Sequence, residues 1–158
     1  MPLLGASDLV AHAVRGVQAK AEDKGVSLEQ AVQPDLPAVR ADKNQIDRVL
    51  VNLLDNAIRH TAAGGKVCVR AIQDKDHVTF RVEDTGEGIP KEYLDRIFDR
   101  FVQVPGATQG GAGLGLAIVQ TIVKAHGGEM KVESELHQGS QFSFTLTTTG
   151  ATAGETTT

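Results

Sequence analysis

Between Asp42 and Arg59 the apolar residues Ile46, Val49, Leu50, Leu53, Leu54, Ala57 and Ile58 recur at helical spacing. They make one continuous apolar stripe, with Asp42 placed as an N-cap. A helix with one oily side must be laid against something. The sequence around it offers period-two alternation rather than more of the same pattern. Val67 to Ile72 and His77 to Glu83 alternate, with Asp74-Lys75-Asp76 reading as the turn between them. Glu129 to Glu135 and Gln141 to Thr147 read as a second hairpin around Gln138-Gly139. Helix and sheet must therefore share one core.

Two further helices complete the pattern. Leu9, Val10, Ala13, Val14, Val17 and Ala21 predict an amphipathic helix over Ser7 to Lys24, with Ser7 as N-cap and Gly25 as its stop. Another runs from about Gly113 to His126 and ends at Gly127-Gly128. Val26 to Val32 reads as a strand, and Ala38 to Ala41 as a short one beyond Pro34 and Pro37. Pro90 suits the first turn of a short helix through Tyr93, Ile97 and Phe98. Gln103 to Gly111 shows no pattern and is expected to be mobile. The class that follows is α+β: a mixed, mainly antiparallel sheet of about five strands packed on three helices. With 158 residues there is room for one domain, expected over 1–149, with a Thr/Gly/Ala-rich disordered tail over 150–158.

Charge narrows the function classes. A net charge of −4 with no basic block disfavours nucleic acid as a partner. A single cysteine, Cys68, excludes an internal disulfide, and with five scattered histidines it makes no zinc site. No apolar run approaches a membrane span and no signal-peptide pattern stands at the start, so a cytoplasmic domain is expected, whose parent protein could still be membrane-bound.

Three segments carry the chemistry. Asn52, Asn56 and Arg59 fall at i, i+4 and i+7, on one helix face. Amide oxygens can ligate Mg²⁺ and a guanidinium can pair with phosphate. The same residues would equally suit an ordinary solvated face. Asp84-Thr-Gly-Glu-Gly-Ile-Pro90 puts a carboxylate at a strand end, before two glycines. It could accept from an exocyclic amine while Gly86 and Gly88 let a flat ring approach the main chain, or it could be a plain turn. Gly110 to Leu116 runs glycine-rich into a helix, where free N–H groups can cradle phosphates. It is neither a P-loop, lacking the lysine, nor a dinucleotide fingerprint, having Leu at position 116. A flexible linker is its other reading.

Together these segments stand in a telling order. Asn-Leu-Leu-Asp-Asn-Ala-Ile-Arg-His-Thr, Asp-Thr-Gly-Glu-Gly-Ile-Pro, Ile-Phe-Asp-Arg-Phe and Gly-Ala-Gly-Leu-Gly-Leu follow one another along the chain. They resemble the N box, first glycine box, F box and second glycine box of the sensor histidine kinases, over roughly residues 8 to 147. The resemblance implies the Bergerat ATP-binding fold, a two-layer α/β sandwich shared with gyrase, the mismatch-repair ATPases and the heat-shock chaperone ATPase. It implies ATP and Mg²⁺ as cofactors. Asn56 would be the metal ligand, with Asn52 and Arg59 beside the phosphates and His60 and Thr61 at the rim. Asp84 would receive the adenine amino group, with Gly86, Gly88 and Ile89 shaping that pocket. Phe98 and Phe101 would anchor a lid whose hinge and phosphate contacts come from Gly111, Gly113, Leu114, Gly115 and Leu116.

The hydrolytic relatives carry Glu where this chain has Asn52, and an amide cannot take a proton from water. The resemblance therefore implies phosphoryl transfer to a protein histidine, catalysed by positioning and charge neutralisation. Two departures stand out. No basic residue lies between Arg100 and Lys124, where many such lids carry one. None of the five histidines (His12, His60, His77, His126, His137) is followed by the acidic residue of the family's acceptor motif. The acceptor is expected on a dimerisation domain outside this chain, with a response-regulator receiver domain as the next partner. A serine kinase of the anti-sigma-factor type and a non-catalytic nucleotide-binding module are the alternatives.

Overall fold

A computed structural model describes residues 2–89, 94 and 112–148. In chain order the elements are β1 (Leu3–Leu4), α1 (Ala6–Lys24), β2 (Ser27–Val32), β3 (Val39–Arg40), α2 (Lys43–Arg59), β4 (Lys66–Asp74), β5 (His77–Asp84), α3 (Ala112–Ala125), β6 (Met130–Glu135) and β7 (Gly139–Thr147). Five strands form one sheet in the order β2-β4-β5-β7-β6. β2 runs parallel to β4 and every other neighbour is antiparallel. The three helices share one core with this sheet, as the α+β sandwich reading requires.

Alternation decides which side of the sheet is covered. Val67, Val69 and Ala71 of β4, Val78, Phe80 and Val82 of β5, and Phe142, Phe144 and Leu146 of β7 are buried and face one way. The stripe of α2 lies against them, with Leu50 and Leu54 wholly buried. The opposite face carries Arg70, Arg81, Glu83 and Gln141, cross-linked by an Arg70 Nε to Glu83 Oε1 bond of 3.0 Å. Cys68 lies on that polar face, where burial pushes its thiol above the usual range.

Caps fix the helix ends largely as expected. The Asp42 carboxylate accepts from Gln45 N at 3.1 Å, and Gly25 closes α1 in the left-handed region at φ 80°. Ser7 is not the cap of α1. That helix starts at Ala6, with Gly5 at the N-cap and no side-chain cap bond. The reason is tertiary: β1 pairs with β3, which sets the chain's entry just ahead of Gly5. The strand expected over Ala38 to Ala41 shortens to β3, and Val39 also bridges to Thr148. The first hairpin closes at Lys75, φ 57°. The short helix after Pro90, Phe98, Arg100, Phe101, the segment Gln103 to Gly111 and the tail 150–158 lie outside the described residues.

Candidate functional site

The last turn of α2 is the fixed point of the site. Lys24 Nζ, at the end of α1, donates to the carbonyl oxygens of Ile58 at 2.9 Å and Arg59 at 2.6 Å. Terminal carbonyls have no intrahelical partner, so a neighbouring ammonium is a good acceptor-side cap. The line of α2 positions Asp47, Val51 and Asp55 faces α1, through His12 Nδ1 to Asp47 Oδ1 at 2.8 Å and Lys20 Nζ to Asp55 Oδ1 at 3.1 Å. Asn52 and Asn56 form the next line around the helix, away from α1, and both are half-buried. Gln45 and Arg48 continue that side and border a groove of about 600 Å³ against Ala117, Ile118, Thr121 and Ile122 of α3. That groove separates α2 from the helix that carries the second glycine box.

Arg59 is engaged differently. Its guanidinium donates to Asp55 Oδ2, one turn back, at 2.9 Å. Thr61 is buried rather than at a rim, 1% exposed, and its hydroxyl donates to Ala57 O at 2.7 Å. His60 caps α2, with its N–H on Asn56 O and its Nδ1 3.0 Å from Glu87 Oε1.

Asp84 ends β5 on the helix side of the sheet, in register with Val67 on one flank and Ser140 on the other. Its carboxylate accepts from Gly86 N at 2.8 Å, and Ser140 faces it across the β5–β7 ladder. Burial pushes its pKa above the ordinary carboxylate value, against the opposing influence of the Gly86 and Ser140 backbone and of His60. A carboxylate has about four lone-pair sites, so acceptor capacity remains.

The following bend is squeezed between two elements. A Cβ on Gly86 would lie 2.4 Å from His60 O, and one on Gly88 (φ +77°) 2.3 Å from Glu135 O. Only glycine permits both approaches. The Glu87 peptide spans the gap: its N–H reaches His60 O at 3.3 Å and its carbonyl accepts from His137 N at 2.7 Å. Ile89 N donates to Ser134 Oγ at 2.7 Å. The carboxamide helix and the carboxylate bend thus touch at His60, one turn beyond Asn56.

Gly113, Leu114 and Gly115 lie in the first turn of α3, and Leu116 is core, 4% exposed. Phe101 and Gly111 lie outside the described residues. Lys24, Glu87, Ser134 and Ser140 were not found from sequence. Each acts through a contact tens of residues away, which no local pattern encodes; only the hairpin that carries the two serines was visible.

With this geometry in view, comparison with known proteins is direct. Residues 41–150 match the family described as histidine kinase-, DNA gyrase B-, and HSP90-like ATPase. The chain belongs to that family. It is 44% identical over 135 residues to the alginate biosynthesis sensor protein KinB of Pseudomonas aeruginosa, covering 85% of this chain and 22% of KinB. It thus spans about a fifth of that relative's length. Among solved structures, a mycobacterial sensor histidine kinase, MprB, superposes with a TM-score of 0.84 at 29% identity, covering 93% of this chain and 98% of that one. Full-length ShkA in complex with AMPPNP superposes with a TM-score of 0.82 at 35% identity, covering 93% of this chain and 31% of ShkA. The fold is that of the ATP-binding catalytic domain of sensor histidine kinases. Among the described residues no helix is long and apolar enough to cross a membrane.

Proposed function

We propose that residues 1–149 form the catalytic domain of a two-component sensor kinase. It binds ATP with Mg²⁺ between α2, α3 and the Asp84 bend, and presents the γ-phosphoryl group to a histidine on a dimerisation domain outside this chain. The phosphoryl group then passes to a response-regulator receiver domain, and the domain works on the cytoplasmic side. The observation that carries this reading is the contact at His60. It joins the carboxamide helix to a half-buried carboxylate that is held by the Gly86 N–H and still able to accept.

The roles follow from chemistry. Asp84 accepts the adenine amino hydrogens, and the flat Gly86-to-Ile89 bend lies against the ring. Among the described residues no group of three His, Cys, Asp or Glu side chains could hold a metal alone. A neutral amide oxygen such as that of Asn56 fits an ion that arrives with the triphosphate and keeps most of its oxygen ligands from it. Bound Mg²⁺ would supply charge neutralisation. Asn52 orients phosphate oxygens and, being an amide, withholds a base from water. Arg59 can serve the phosphates if its bond to Asp55 is exchanged for them. Gly111, Gly113 and Gly115 offer backbone to the phosphates, while Phe101 seats the lid.

Calorimetric titration with a non-hydrolysable ATP analogue, with and without Mg²⁺, tests this. We expect binding that Mg²⁺ strengthens. Asp84→Asn should weaken it about tenfold or more, roughly 1.4 kcal/mol. Affinity unchanged within about twofold would remove Asp84 from adenine recognition.

A further inference from the structure

We infer that Ser134 is a positioning residue that sets nucleobase selectivity, holding the Asp84-to-Ile89 bend in the shape that accepts adenine and refuses guanine. The inference rests on the nucleotide reading above. Its observation is a single hydroxyl used to capacity. Ser134 sits on β6, on the sheet face it shares with Ser140, and its register partner is Ser140 itself. Its Oγ accepts from Ile89 N at 2.7 Å, lies 3.0 Å from Ser140 Oγ, and donates to Gly139 O at 3.0 Å. With its one proton on Gly139 O, the Ser140 hydroxyl must be the donor of their mutual bond. A hydroxyl has one donor and two acceptor sites, and all three are then filled.

The consequence is a chain of constraints ending at the carboxylate. Ser140, which donates its hydroxyl to Ser134, stands directly opposite Asp84 in the β5–β7 ladder. Ile89, at the far end of the bend, is tied to the same serine. Both ends of the bend are thereby referred to one strand, β6, which carries no atom expected to touch the nucleotide. The second tie between hairpin and bend, His137 N to Glu87 O at 2.7 Å, is backbone only and survives any side-chain change.

Selectivity follows from what the held carboxylate meets. Adenine presents an amino group at its six position, a donor; guanine presents a carbonyl there, an acceptor. A carboxylate fixed in place pairs with the first and repels the second. A carboxylate free to swing aside accepts the first less well and tolerates the second. Specificity of this kind depends on an unpaired buried polar group being unable to move away. Losing the Ser134 hydroxyl leaves Ile89 N–H without its acceptor and loosens the bend.

The experiment compares ATP and GTP affinities, by titration with non-hydrolysable analogues, for the whole chain and for Ser134→Ala and Ser134→Thr. We expect Ser134→Ala to lose about tenfold in ATP affinity while GTP affinity stays level or rises, so that the ratio collapses. Ser134→Thr keeps the hydroxyl and should keep the ratio. A Ser134→Ala protein that retains the wild-type ratio overturns the inference while leaving ATP binding standing; a wild-type chain that binds no ATP overturns the reading beneath it as well. A purely structural role would lower both affinities together and spare the ratio. Should Ser134→Ala not fold, amide exchange in the unmodified chain decides: Ile89 N–H must exchange as slowly as the β5–β7 ladder without nucleotide, and fast exchange overturns the inference.

Discussion

Asp84 shows how one residue can set two opposed pH responses. Its pKa is raised above the ordinary aspartate value, chiefly by burial. As pH falls it therefore takes up a proton earlier than an exposed aspartate would. In the proposed complex a protonated acid would donate where adenine needs an acceptor. ATP affinity should drop as pH falls through that raised pKa, earlier than an ordinary aspartate would titrate, and Asp84→Asn should show no such step. Stability runs the other way. The unfolded chain holds fewer protons than the folded one between the two pKa values, so stability falls as pH rises across that window. The burial penalty is fully present above the folded pKa and absent below the unfolded one. Titrations of binding and of denaturant midpoint, each against Asp84→Asn, check both signs. Asp84 was legible in the sequence because a strand ends on it and glycines follow. Ser134 was not, because its partner Ile89 is 45 positions away and a serine in a strand looks like any other.

At the scale of elements, caps and periods were readable and tertiary entries were not. Asp42 declared itself as the start of α2, and its bond to Gln45 N confirms the local logic. Removing it as Asp42→Ala should cost about 1 kcal/mol. That corresponds to a melting point lower by roughly 3 °C for a domain of this size, which a thermal scan will resolve. The Asp42 N–H would keep its bond to His126 Nε2, at 3.2 Å, so the loss should not exceed that of a cap. Ser7 looked like an equal cap and is not one. Its helix is entered from a two-residue strand, Leu3–Leu4, too short to show any period, whose partner β3 lies beyond α1 and β2. The two hairpins were legible because alternation and turn residues are local. The side of the sheet that faces the helices was legible too, since the alternation assigns it.

The whole molecule depends on few large side chains. Aromatic residues make up 4% of the chain, so the stacked pair Phe80 and Phe144 carries unusual weight. Their rings lie 5.1 Å apart and 11° from parallel, on neighbouring central strands beneath the helices. Phe80→Ala should cost about 3–5 kcal/mol through lost burial and a residual cavity. Against a typical total of about 5–15 kcal/mol, urea unfolding should show a variant near the edge of folding. The class of fold, one sheet under three helices, could be read from pattern because burying the apolar stripe and the alternating faces leaves few solutions. The meeting of Asn56's helix with the Asp84 bend could not be derived that way. It is made by His60 and Glu87 across the tertiary structure, and only the resemblance to a family brought the two motifs together beforehand.

The one parallel pairing in the sheet has a consequence in time. Ser27 meets Lys66 only after the whole of α2 has been laid between them, whereas Asp74 meets His77 across a tight turn. Closing the longer loop costs more chain entropy before any contact is gained. The β4–β5 ribbon should therefore assemble first and β2 zip on late. Pulse-labelled exchange during refolding should find the amides of Val78 to Val82 protected before those of Leu28 to Val32. The Asp84-to-Ile89 bend, born at the end of the early ribbon, would then wait for α2 to arrive and close it.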